Sequence, residues 1–168
     1  MLSSELKKQL LSQEPLEEAV LKEAYLCTIE GSSSEALVTL FPLIQARNIS
    51  RLSAGERANL LERMRALTEV ELDVSDQVML AQCVAKVITK HFDEKLMEYV
   101  FVASGSSHSL VRGAAILPLE YAARIKVKGA FDKIKEMTLD SDSENAKFAN
   151  KAVMRLNEFF GISDLSTE

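Results

Sequence analysis

Residue types that could carry out chemistry are concentrated in one short stretch, residues 103–115, which reads ASGSSHSLVRGAA. It contains Ser106, Ser107 and His108, the residue types of a nucleophile and a general base. A serine nucleophile needs a base within hydrogen-bonding distance and a third group that orients this base. Neighbours on one short turn rarely reach that geometry, and the Gly-x-Ser-x-Gly pattern of a nucleophile elbow is missing. We therefore interpret the stretch as a polar turn that precedes a helix.

The sequence offers little to hold a metal ion or a cofactor. It contains two histidines and two cysteines, which lack the close spacing of metal ligands. The acidic run DSDSE at 140–144 resembles part of a calcium loop, but it lacks the central glycine and the glutamate at the twelfth position. Glycine-rich phosphate loops and dinucleotide fingerprints are missing as well. The sequence therefore predicts no cofactor, no metal and no enzymatic activity.

The composition is that of a globular domain. A chain of 168 residues, of which 47 % are hydrophobic and 27 % charged, can bury a substantial core. The net charge of −5 argues against binding to nucleic acid. Cys27 and Cys83 lie far apart within apolar helical patterns, and we interpret both as reduced thiols that pack in the core. Because no segment has the length of a membrane span or a signal peptide, we expect a cytoplasmic protein.

Apolar residues recur at helical spacing along nearly the whole chain. A clear example is the i, i+3, i+4, i+7 pattern of Leu37, Leu40, Phe41 and Ile44. The segment 99–102 would suit a strand by composition, but its helical spacing and the lack of a partner strand favour a helix. The sequence predicts nine helices, at 4–13, 16–30, 33–47, 54–70, 75–91, 94–104, 108–126, 129–139 and 142–160.

Local signals predict where helices begin, end and bend. Three serine–glutamate pairs have the spacing of a capping box: Ser32 with Glu35, Ser53 with Glu56, and Ser141 with Glu144. Helix ends are predicted at three glycines in the left-handed conformation, Gly31, Gly105 and Gly161. Bends are predicted at two prolines inside apolar helical patterns, Pro42 and Pro118.

Two segments of the C-terminal half are similar to each other at an offset of 35 residues. The alignment pairs Val102 with Met137 and Leu119 with Met154, and it pairs Arg112 with Lys147. A helical hairpin of about 35 residues cannot bury both of its apolar sides alone, so neighbouring hairpins must stack. The candidate repeats are 16–47, 54–91, 94–126 and 129–160.

The segments LMEYVFVASGSSHSLVRGAAILPLEYAARI and FDKIKEMTLDSDSENAKFANKAVMRLNEFF resemble HEAT or armadillo repeats. In each, an apolar first helix is followed by a polar turn and by a second helix that opens on a basic residue and small residues. The resemblance is best over 94–160. It implies an all-α fold: one domain over 1–168, a short right-handed stack of helical hairpins capped by helix 4–13, with a flexible tail at 163–168.

Such a stack implies a binding function by analogy of fold. We expect a non-enzymatic interaction module, scaffold or adaptor whose partner is another protein or an acidic peptide. A local excess of positive charge supplies the candidate partner-binding residues: Arg112, Arg124, Lys126, Lys128, Lys133 and Lys135. Two alternatives remain open. One is an enzyme or DNA-processing domain on the same helical framework, and the other is a homo-oligomer assembled through an apolar terminal hairpin.

Overall fold

The structure is a computed structural model that describes residues 2–12 and 15–161, and these residues form helices and turns without any strand. The eleven helices of this part of the chain are α1 Ser4–Ser12, α2 Glu18–Glu30, α3 Ser33–Leu43, α4 Ala46–Ile49, α5 Ala54–Leu67, α6 Val74–Ile88, α7 Glu94–Ala103, α8 Ser109–Ala114, α9 Ile116–Arg124, α10 Ala130–Met137 and α11 Ser143–Phe160. The segment 99–102 lies within α7. The prediction of an all-α fold is confirmed.

The helices belong to two compact units, and the boundary between Cys83 and Val84 falls inside α6. In the first unit, α2 packs against α1, α3 and α5. In the second unit, α9 packs against α7, α10 and α11, and α10 also packs against α11. A single repeat domain that spans both units stays a prediction. The predicted flexible tail lies outside the described residues.

Two of the three predicted capping boxes are confirmed. Ser32 and Ser53 each accept a hydrogen bond from the amide of the glutamate three residues later, and that glutamate bonds back to the serine amide. The third prediction is wrong, because Asp142 instead of Ser141 caps α11. The Asp142 carboxylate accepts hydrogen bonds from the amides of Glu144 and Asn145, so the helix begins at Ser143.

Of the three predicted left-handed glycines, only Gly161 is confirmed, with φ 68°. Gly31 has φ −74°, and Gly105 is not left-handed either. At Gly31 a close approach requires the glycine, because a Cβ atom there would lie 2.4 Å from the carbonyl oxygen of Cys27. Among the residues that the structure describes, two others adopt the left-handed conformation, Gly129 with φ 84° and Lys126 with φ 61°.

Each proline interrupts its predicted helix. Pro118 cannot donate to the carbonyl of Ala114, and the helix is divided at Ala115 into α8 and α9. The Ala115 amide donates to the carbonyl of Arg112, three residues earlier, and this bond tightens the last turn of α8. Pro42 lies one residue before the end of α3, and its carbonyl accepts a hydrogen bond of 2.9 Å from the side chain of Asn48.

In the second unit, the burial pattern matches itself better at an offset of 34 residues than at the predicted offset of 35. At 34, buried residues align with buried residues: Val100 with Ile134, Ala103 with Met137, Val111 with Asn145, Ala115 with Ala149, and Ala122 with Leu156. At 35, the buried Met137 and Leu119 would align with Val102 and Met154, which are 73 % and 62 % exposed. One residue is a rotation of about 100° around a helix, so the predicted offset pairs core with surface. The predicted equivalence of Arg112 and Lys147 is therefore wrong.

Candidate functional site

The polar turn 104–108 and the acidic turn 138–142 have the same local structure, 34 residues apart. The hydroxyl of Ser106 accepts a hydrogen bond of 3.1 Å from the amide of His108. The carboxylate of Asp140 accepts one of 2.8 Å from the amide of Asp142 in the same way. His108 and Asp142 are the residues that precede α8 and α11. These hydrogen bonds are typical of turns that lead into helices.

Arg112 connects these two equivalent turns. Its Nη1 donates to the carbonyl of Ser106 at 3.0 Å, while Nε and Nη2 each donate to a carboxylate oxygen of Asp140 at 2.8 Å. The side chains of Arg112 and Asp140 are only 16 % and 5 % exposed. The hydrogen bonds from Arg112 hold the pKa of Asp140 below its ordinary value, and the carboxylate raises the pKa of Arg112. The charge of Arg112 is therefore compensated inside the fold.

The six predicted partner-binding residues lie on α8, on α9, on α10 and in the connection between α9 and α10, and a binding role for them stays a prediction. Arg112 and Arg124 lie twelve residues apart, near the start and the end of the α8–α9 segment, which corresponds to about 18 Å along the helix axes. Lys133 pairs with Glu136 at 2.8 Å, and the Nζ of Lys135 lies 4.8 Å from the centre of a phenylalanine ring, that of Phe131.

Lys126 and Lys128 have neither an ion pair nor a ring contact within the described residues. Both are exposed in the connection between α9 and α10. These two side chains add to the positive electrostatic field at this end of α9, where Arg124 also lies.

Glu120 is a buried carboxylate that holds two arginines, and it is not among the residues predicted from the sequence. Oε1 accepts hydrogen bonds from Arg155 Nε at 2.9 Å and from Arg124 Nη2 at 3.0 Å. Oε2 accepts one from Arg155 Nη2 at 2.7 Å. The Glu120 side chain is 5 % exposed, whereas those of Arg124 and Arg155 are 39 % and 48 % exposed. Together, one buried negative charge and two exposed positive charges leave this cluster with an excess positive charge.

The pKa of Glu120 results from two opposing causes. Burial raises it, because a charged carboxylate loses its hydration in the protein interior. The hydrogen bonds from Arg155 and Arg124 lower it and outweigh the burial, so the pKa lies below the ordinary value of a glutamate. Glu120 therefore stays ionised at neutral pH and holds both guanidinium groups in place.

Large apolar side chains surround this cluster at the surface. The Cζ atom of Arg124 lies 5.1 Å from the centre of the Phe159 ring, and Phe159 packs edge-to-face against Phe160. Phe159 itself is 55 % exposed, Phe148 on the same helix is 53 % exposed, and Leu117 on α9 is 58 % exposed. Phe148 and Phe159 share one side of α11 with Arg155, and Leu117 lies on the Glu120 side of α9.

We call this surface the α9/α11 face. We define it by six exposed side chains. Three are apolar and three are cations: Phe148, Phe159 and Leu117, and Lys151, Arg155 and Arg124. Two exposed carboxylates, Glu144 and Glu158, lie on the same side of α11, towards its two ends. The sequence alone could predict only one contact beneath this face, the one between Glu120 and Arg124, which have i, i+4 spacing. Arg155 lies 35 residues beyond Glu120, so only the packing of α9 against α11 brings them together.

Open clefts lie among the described residues of the first unit. One, of about 490 Å³, is lined by Glu18, Leu21, Lys22, Tyr25, Leu26, Arg51, Leu52 and Glu56. Its cations have partners already, because Lys22 pairs with Glu18 and Arg51 donates to the carbonyl of Leu16. A smaller cleft of about 320 Å³ adjoins Cys27 and Glu35. Burial raises the pKa of the Cys27 thiol, and the charge of Glu35 adds to this effect.

Within the described part of the chain, no group of three or more histidines, cysteines, aspartates or glutamates could hold a metal ion. No helix there is long and apolar enough to cross a bilayer. Comparison of the chain with protein-family models, curated proteins and solved structures gives no match.

Proposed function

We propose that this chain is a non-enzymatic protein-interaction module built from stacked helical hairpins similar to HEAT repeats. The observation that carries the proposal is the exposure of four large apolar side chains on the last helix, α11. Phe148, Met154, Phe159 and Phe160 are 53 %, 62 %, 55 % and 37 % exposed. Several such side chains on one helix favour a surface that another protein covers.

The repeated turn supports the stacked arrangement. The two hairpins of the second unit share their burial pattern and turn hydrogen bonds at an offset of 34 residues, and Arg112 joins equivalent turns. A structural unit that recurs at a fixed period is typical of helical-repeat proteins, whose long faces bind other proteins.

Site-specific photo-crosslinking in the source cell tests this function. A photoreactive phenylalanine analogue replaces Phe148 or Phe159 in one set of variants. In the control it replaces Leu11 of α1, a side chain that is 90 % exposed. We expect the first set, and not the control, to form one discrete adduct with another protein. After purification that protein should bind the chain with a fixed stoichiometry.

Three results would contradict the proposal. The first is that neither the Phe148 and Phe159 variants nor the Leu11 control forms an adduct. The second is that the crosslinked protein, once purified, does not bind the chain. The third is that the only adduct is with a second copy of this chain. In the last case light scattering should give a mass above that of the 18.6 kDa monomer, and the chain would be a self-assembling protein. Salt-dependent binding to a DNA duplex, lost when Lys126 and Lys128 are changed to glutamate, would instead support the nucleic-acid alternative.

A further inference from the structure

We infer that the α9/α11 face binds an acidic segment of another protein in which carboxylates stand next to aromatic or aliphatic side chains. This inference rests on the proposed function and assigns its binding surface. The cations come from Arg124, Lys151 and Arg155, and the apolar contacts come from Leu117, Phe148 and Phe159. Of the six residues predicted from sequence, only Arg124 belongs to this surface.

Glu120 orients the two arginines for a second carboxylate. Each guanidinium is fixed on the buried Glu120 by hydrogen bonds of 2.7–3.0 Å and therefore loses little freedom when a ligand binds. Arg124 retains Nε and Nη1 as donors, and Arg155 retains Nη1, because these atoms bond to no residue in 2–12 or 15–161. Free donors and an excess positive charge favour a carboxylate ligand.

Apolar side chains lie next to these donors. Phe159 contacts Arg124, and Phe148 lies two helical turns before Arg155 on the same side of α11. Burying an aromatic ring that is more than half exposed adds binding energy when the ligand carries apolar side chains. Because the chain carries a net charge of −5, nucleic acid is disfavoured. The combination of charge and apolar surface therefore favours an acidic, partly apolar polypeptide.

Fluorescence anisotropy with three labelled peptide pools tests the inference on the full chain. The probe pool contains peptides of about 12 residues, roughly three helical turns, with Glu and Phe or Leu at helical spacing. In the second pool Lys replaces Glu, and in the third Ser replaces the apolar residues. We expect the probe pool to bind at least about tenfold more tightly than either control, which corresponds to about 1.4 kcal/mol.

Variants then locate the binding surface. Arg124→Gln and Phe159→Ser should each weaken binding of the probe pool at least about tenfold. The matched controls are Lys22→Gln, which removes an exposed cation from the first unit, and Leu139→Ser, which removes an apolar side chain that is 88 % exposed. These should bind like the parent chain. Far-UV circular dichroism confirms that each variant is folded.

The inference is overturned if the probe pool fails to bind at about 1 mM. It is also overturned if the Lys pool binds equally well, if a single-stranded oligonucleotide binds more tightly, or if the two α9/α11 variants bind like the controls. The proposed function has a separate outcome. If the crosslinked partner protein still binds chains that carry Arg124→Gln or Phe159→Ser, the module function stands and the α9/α11 face is the wrong surface.

Discussion

Replacement of Arg112 tests most directly how the two hairpins of the second unit are joined. Its guanidinium makes two hydrogen bonds of 2.8 Å to a carboxylate that is 5 % exposed. Removing one partner costs about 3–5 kcal/mol for a buried ion pair, but less than about 1 kcal/mol for an exposed one. Asp140 keeps the amide of Asp142 as a donor, and Arg112 is partly exposed. We therefore expect Arg112→Met to lower the free energy of unfolding by about 2–3 kcal/mol.

The same substitution should change how stability depends on pH. Because Arg112 holds the pKa of Asp140 below its ordinary value, the unfolded chain binds a proton more readily than the folded chain. The pair therefore stabilises the fold fully above the pKa of the unfolded carboxyl, about 3.9, and this stabilisation is lost as the pH falls through the lower folded pKa. In Arg112→Met the free energy of unfolding should therefore fall less steeply as the pH is lowered below about 4.

Urea unfolding followed by circular dichroism measures both effects, at neutral pH and near pH 3. A double-mutant cycle with Asp140→Asn should give a coupling energy of about 2 kcal/mol. Hydrogen exchange at the amides of the turns 104–108 and 138–142 shows whether the change is local. The control is Lys22→Met, since the Lys22 and Glu18 side chains are 74 % and 77 % exposed. A coupling energy below about 0.5 kcal/mol, or an unchanged acid limb, would refute the reasoning.

Three further substitutions should change stability in urea unfolding. Gly113→Ala should destabilise the chain by about 1 kcal/mol, because its Cβ would lie 2.5 Å from Asn145 Oδ1 and displace a side chain that bonds to the Ser109 carbonyl. In an Asn145→Ser background the sign should reverse, since alanine is the better helix former by about 1 kcal/mol. Ser53→Ala removes a capping box and should cost about 1 kcal/mol. Lys126→Gly should stabilise the chain by about 0.5 kcal/mol, because φ is 61° there; a destabilised variant would contradict this expectation.

Helices were predictable because their signals are local. Apolar stripes and serine–glutamate pairs lie within a few residues of the structure they determine, as the confirmed caps at Ser32 and Ser53 show. The third cap was mispredicted because two acceptors, Ser141 and Asp142, compete for the same amides. Asp142 is the cap because of the turn before it. The Asp140 carboxylate accepts a hydrogen bond from the amide of Asp142, and the Asp142 carboxylate then accepts hydrogen bonds from the first amides of α11.

The offset between the two similar segments of the second unit was not predictable from apolar residues alone. The sequence reasoning assumed that large apolar residues lie in the core, whereas Val102 and Met154 are exposed, and small residues such as Ala115 and Ala149 occupy core positions instead. The α9/α11 face escaped prediction for a related reason. Arg155 lies outside the charged segment 112–135, and pairwise contacts between distant helices leave no periodic signal in one sequence.

The close approach of Gly113 and Asn145 also constrains how this sequence can change during evolution. Any side chain at position 113 requires the side-chain amide of Asn145 to move. Any shorter side chain at position 145 removes the 2.8 Å hydrogen bond that Asn145 donates to the Ser109 carbonyl. A substitution at either position alone is therefore disadvantageous, while a paired change is tolerated. Among related sequences, glycine at 113 should occur together with asparagine at 145, and the two residues should be lost together.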